Sequence, residues 1–177
     1  MKHMMKDYEN YILVMILLLS CIYINFCTTI PKCACFFTLI ISCSNFISER
    51  YGYKIALNNL LFCICVALCV LTQTEYKIGD KICDGLFIVS YTSIFMSFII
   101  ANYLLRNIRV IKLPLLVLVA GVIDGFVMSV YFYSIDFATN FVLAVFIKEI
   151  TYKLLYSVVI NIVYYTIKNN SISGLKT

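Results

Sequence analysis

The chain has 177 residues, 63% of them hydrophobic and 13% charged, with a formal net charge of +5. Soluble domains are nearer half apolar and a quarter charged, so a single water-facing core is excluded and lipid must be the main solvent. About six crossings of roughly 20 residues, with short joints, use up the length and leave no room for a separate catalytic domain.

The first apolar run covers 11–27. Leu18-Leu19-Ser20-Cys21 imitates a lipoprotein cleavage site, but Asp7 and Glu9 spoil the basic leader such a signal needs, so the run is read as a retained helix. A joint at 28–32 contains Pro31, and a second, short run spans 33–47. Ser48-Glu49-Arg50-Tyr51-Gly52 punctuates the chain before a third run at 55–71. After a polar stretch at 73–81 come runs at 86–105, 113–133 and 140–167, the first two separated by the basic joint 106–112. Continuous apolarity without alternation predicts helices, because a backbone in lipid must satisfy its hydrogen bonds within each segment. The expected fold is all-α: one membrane domain over 1–177, a bundle of six transmembrane helices with no soluble part.

The basic residues are scattered singly, without the blocks that would track a nucleic-acid backbone. They sort by side instead. Lys2, Lys6, Arg50, Lys54, Arg106, Arg109, Lys112, Lys168 and Lys176 fall on one side, against Lys32, Lys77 and Lys81 on the other. That asymmetry predicts both termini in the cytoplasm of a multi-pass protein of the bacterial inner membrane. Nine cysteines lie mostly inside the apolar runs in C-x-C rather than C-x-x-C spacing, and the single histidine is His3, so no metal site or cofactor is expected. A nucleophile–His pair and a phosphate loop are also missing, which argues against an enzyme.

Four ionisable residues interrupt the last two runs: Asp124, Lys148, Glu149 and Lys153. Counting helical rise from either end places them roughly 12–20 Å into a core about 30 Å thick, so all four are expected at one level near the midplane. Charges there face a protein interior or a wet cavity, and they sum to zero as two acids and two lysines. Glu149 and Lys153 stand i, i+4 in the favourable order. Gly121 and Gly125 form a small face beside Asp124; a sixth helix docked there would let Asp124 pair with Lys148 or Lys153. A second polar group, Asn45 and Glu49 on one helical face, runs into Arg50 and Tyr51, with Asn25 and Asn102 as further polar points.

In order, these elements resemble the queuosine precursor transporter group of the vitamin uptake transporter family. The carrying residues are Asn45-Phe46-Ile47-Ser48-Glu49-Arg50-Tyr51-Gly52, then Ala120-Gly121-Val122-Ile123-Asp124-Gly125, then Glu149 with Lys153. Asn45 stands where the group usually carries an acid. The resemblance implies import of queuine or a related 7-deazaguanine base, a flat heterocycle whose adjacent N–H and amino donors suit one carboxylate. Expected substrate residues are Asn25, Asn45, Glu49, Tyr51, Asp124, Glu149 and Lys153, with Tyr53, Tyr152 and Tyr156 as further stacking faces and protons as a candidate coupling ion. The alternatives are a substrate-binding subunit of an energy-coupling-factor vitamin importer and a non-transporting assembly or structural protein. Against the former, the first run carries no Ala or Gly for docking a coupling partner.

Overall fold

The computed structural model describes the backbone of residues 2–27, 29–71, 77–78, 81–83, 85–105 and 112–173, and side chains at 8–27, 29–71, 83, 85–105 and 113–163. Among these residues there are six α-helices: α1 (Lys2–Ile24), α2 (Ile30–Tyr51), α3 (Tyr53–Leu71), α4 (Leu86–Leu104), α5 (Lys112–Ser134) and α6 (Thr139–Ser173). A two-residue antiparallel ladder pairs Lys77–Ile78 (β1) with Lys81–Ile82 (β2) between α3 and α4. The basic residues Arg106 and Arg109 of the joint before α5 lie outside the described residues.

The all-helical membrane fold expected from the apolar runs is present. Four segments are long and apolar enough to cross a bilayer: α2, α3, α4 and the Leu113–Ser134 part of α5, with Tyr8–Ile24 as a shorter apolar helix. The charges of α6 interrupt its apolarity at Lys148, Glu149 and Lys153. The second span is longer than its apolar run. Thr29 is the extended N-cap (φ −129°, ψ 140°), and Pro31 falls in the first turn, where its missing N–H costs nothing. At the other end the helix runs through Glu49 and Arg50 to Tyr51, because a charged last turn is compatible with helix near a membrane surface.

A single residue, Gly52, joins α2 to α3. Its φ of +103° lies where a Cβ is not tolerated, and its N–H closes the last turn of α2 on Ser48 O at 3.1 Å. The return from α5 to α6 closes differently. Asp136 takes φ +60°, its N–H donates to Tyr133 O (3.2 Å), and that of Phe137 to Phe132 O (3.1 Å), the paired bonds of a Schellman ending.

Interior positions hold Leu17, Phe37, Ile41, Leu60, Phe98 and Leu116, all at most 1% exposed. The outward faces are equally apolar: Met15, Phe62, Met96, Phe126, Leu155 and Ile162 are among many large exposed hydrophobics. Such a surface is stable only against lipid. At the end where α1 begins and α2 finishes, an exposed ion pair between Arg50 and Glu9 ties the two helices together.

Gly121 and Gly125 bring α5 onto α6 as the sequence implies. A Cβ on Gly121 would stand 3.2 Å from Lys153 Cδ, and one on Gly125 only 2.8 Å from the Phe146 ring. Gly125→Ala is therefore expected to destabilise the fold by about 1–3 kcal/mol through overpacking. Thermal unfolding checks this, and in a Phe146→Ala background the same substitution should cost little.

Candidate functional site

α6 carries Lys153 into the bundle interior, where the side chain is 1% exposed. Its Nζ donates to Asp124 Oδ2 of α5 at 2.5 Å and to Glu149 Oε1, one turn earlier, at 2.8 Å. The ammonium also sits 3.9 Å from the centre of the Phe37 ring on α2. Two carboxylates and one aromatic face thus surround a cation that water does not reach. The second Asp124 oxygen, Oδ1, accepts from the Ser93 hydroxyl of α4 at 2.5 Å. Thr38 of α2 completes the contact at the backbone: its hydroxyl donates to Ala34 O (2.7 Å) and lies 3.4 Å from Lys153 O. Four helices therefore converge on one ion cluster.

The cluster forms the floor of a cavity of about 520 Å³. Its walls come from one end of the bundle only: the last turn of α1 with the residues just after it, the first half of α2, the start of α4, the second half of α5 and the start of α6. Asn25, Cys33, Asp124 and Glu149 supply polar groups, while Phe26, Phe37, Phe132 and Phe141 supply aromatic faces. Asn25 Nδ2 is buried without a hydrogen-bond partner. Both Asp124 oxygens are engaged by the protein, whereas Glu149 meets Lys153 through Oε1 and presents a 16% exposed side chain to the cavity.

The geometry sorts the expected site residues. Asp124, Glu149 and Lys153 come together at the cavity floor, with Asn25 on the wall. Asn45, Glu49 and Tyr51 do not join them: they lie in the last two turns of α2, at the opposite end of the bundle, with Asn45 Nδ2 donating to Glu49 Oε1 at 3.1 Å. Lys148 is a correction. It is exposed rather than clustered, so the buried charges are two acids and one lysine, with a formal sum of −1 instead of zero. The helical wheel explains it, since Lys148 and Lys153 are about 140° apart while Glu149 and Lys153 are about 40° apart. The tyrosines expected to stack are also displaced by phenylalanines; Tyr152 and Tyr156 pair with each other (centroids 6.4 Å apart), and Asn102 bonds back to Phe98 O. Ser93 was not singled out by the sequence, being one serine among several on apolar helices.

No protein-family model, curated protein or solved structure matches this chain.

Proposed function

We propose that this protein is a membrane carrier that imports a small, flat, polar heterocycle, with a queuosine precursor (queuine or a related 7-deazaguanine base) as the cargo. The carrying observation is a cavity, reaching in from one end of an apolar bundle, that finishes on buried ionisable groups near mid-helix. Its volume of about 520 Å³ is in the range of small-molecule sites, and apolar walls with a few convergent polar groups are their usual make-up. Intramembrane charges at this depth characterise substrate and ion pathways. Glu149 is the group suited to accept the paired donors of a guanine-like edge, Asn25 to bond a ring substituent, and Phe132 and Phe141 to cover the ring faces. The choice of a queuosine precursor rests on the resemblance carried by Asn45–Gly52, Asp124 and Glu149 with Lys153.

Placed in a bacterial inner membrane with both termini in the cytoplasm, as the distribution of Lys and Arg favours, the cavity opens outward. The protein performs no bond chemistry in this reading and carries no cofactor.

The test is complementation in a bacterium that can neither make nor import queuosine precursors, reading queuosine in tRNA with queuine supplied. Restoration by the wild type and not by Glu149→Gln, at equal membrane abundance, is expected. No restoration by a well-inserted wild type overturns queuine import. Restoration that needs added partner ATPases replaces the autonomous carrier with an energy-coupling subunit. Wild-type restoration by Glu149→Gln leaves the cluster as a helix clamp.

A further inference from the structure

Beyond the cavity floor, one face of α2 stays polar all the way to the far end of the bundle. Thr38, Ser42, Asn45 and Glu49 follow at i, i+4, i+7 and i+11, the spacing of a single helical stripe. The first three are at most 1% exposed. The stripe begins at the ion cluster, where Thr38 meets Lys153 O, and ends at Glu49, which is exposed. α6 carries a matching stripe in Glu149, Lys153 and the fully buried Ser157, at steps of four. The two helices start at the same end of the bundle, so the stripes run in the same direction from the cluster.

Two atoms on this face are out of place in a dry membrane interior. Ser42 Oγ and Asn45 Oδ1 are buried with no protein hydrogen-bond partner. Buried polar atoms are nearly always satisfied, by protein or by water. They sit one turn apart, about 4.5 Å along the axis, within reach of a single bridging water. Thr38 to Glu49 spans about 16 Å along the axis, and the Ser42 hydroxyl and Asn45 amide divide it into steps of about one turn. Thr38, Ser42, Asn45 and Glu49 are not among the residues that line the cavity ending on Asp124 and Glu149, so a heterocycle held in that cavity stops short of the stripe.

At the floor the ion cluster is one positive charge short. Asp124 and Glu149 both line the cavity, but Asp124 has both oxygens bonded, to Lys153 and Ser93, whereas Glu149 meets Lys153 through Oε1. The titratable groups around it are Lys153 on α6, Asp124 on α5, Cys33 on α2 and Cys27 just after α1, while Asn25, also just after α1, and Ser90 of α4 are uncharged.

We infer that Glu149 takes up a proton from the cavity and that the polar seam between α2 and α6, through Thr38, Ser42 and Asn45, delivers it to Glu49 at the opposite end. The carboxylate gains one proton and loses the same one, so no other reactant is needed. The inference rests on the transport reading in making this the coupling proton for import. The route itself does not depend on the cargo.

The experiment uses the full chain in vesicles loaded with a pH-sensitive dye, under a valinomycin-set potassium potential. Proton flux is read with and without queuine, and queuine uptake is read separately. Wild-type flux is expected at least roughly 5-fold above protein-free vesicles, lost in Glu149→Gln and lowered about 10-fold in Asn45→Leu, with Thr92→Val on the outer face of α4 as the unchanged control. Should Asn45→Leu fail to reconstitute, Ser42→Ala gives the same reading with a smaller change in volume. Flux equal to protein-free vesicles in both conditions, or unaltered by Glu149→Gln or by the seam variants, overturns the proposal. Proton flux without queuine uptake keeps the route and removes the queuine reading; uptake without flux does the reverse.

Discussion

Lys153→Met is expected to lower the stability of the folded protein by about 3–5 kcal/mol, because it strands two carboxylates that the lysine now joins. Asp124 and Glu149 both bond the same ammonium, at 2.5 and 2.8 Å, in surroundings where Lys153 is 1% exposed. Methionine matches the alkyl stem in length, so packing against Gly121 and Phe37 is largely kept and the loss reports the charge. For a chain of this size the unfolding midpoint should drop by roughly 6–20 °C. A thiol-reactive dye follows the transition, since Cys21, Cys43 and Cys63 are buried in the folded bundle. Adding Asp124→Asn should recover at least half of the loss, by removing one of the two stranded charges. A shift below about 2 °C in the single variant would mean that the cluster contributes nothing to folding.

That experiment also separates stability from transport. A buried ion pair replaced as a unit by neutral groups is often tolerated, so the double variant can fold well. It cannot restore a cation beside Glu149, and so uptake should stay lost when the midpoint recovers. A clamp without a substrate role predicts that both recover together.

Much of the bundle was legible because a membrane helix is written in contiguous apolarity. The runs at 86–105 and 113–133 match α4 and α5 within a residue at every boundary. The second run stopped at 33 and 47 because Pro31 and Glu49 look like punctuation; both are compatible with helix where they fall, in the first and last turns. The partnership of Asp124 with α6 was also legible, since Gly121 and Gly125 admit the Lys153 stem and the Phe146 ring and little else. Lys148 was misplaced by counting depth without helical phase, although the phase was available in the sequence. Ser93 and the phenylalanine walls were not legible. A serine on an apolar helix gains meaning only from the partner opposite, and that register is set by packing between helices. The distance between Asn45 with Glu49 and the cavity likewise becomes visible once the bundle shows which helix ends are together.

Met128→Trp is the substitution expected to stop transport with the least damage to the fold. Met128 stands one turn beyond Asp124 on α5 and lines the cavity, so an indole there enters space that a ligand would occupy. Overpacking is costly in a filled core, but this side chain borders an open volume of about 520 Å³, and a stability change below about 1 kcal/mol is expected. Val122 offers the matched control on the same helix: it is 43% exposed on the outer face, and Val122→Trp should alter neither property. Uptake of labelled queuine into vesicles should fall at least about 10-fold in Met128→Trp and remain unchanged in Val122→Trp. Uptake at the wild-type rate through a cavity filled by tryptophan would place the cargo elsewhere and leave the charged floor to the proton alone.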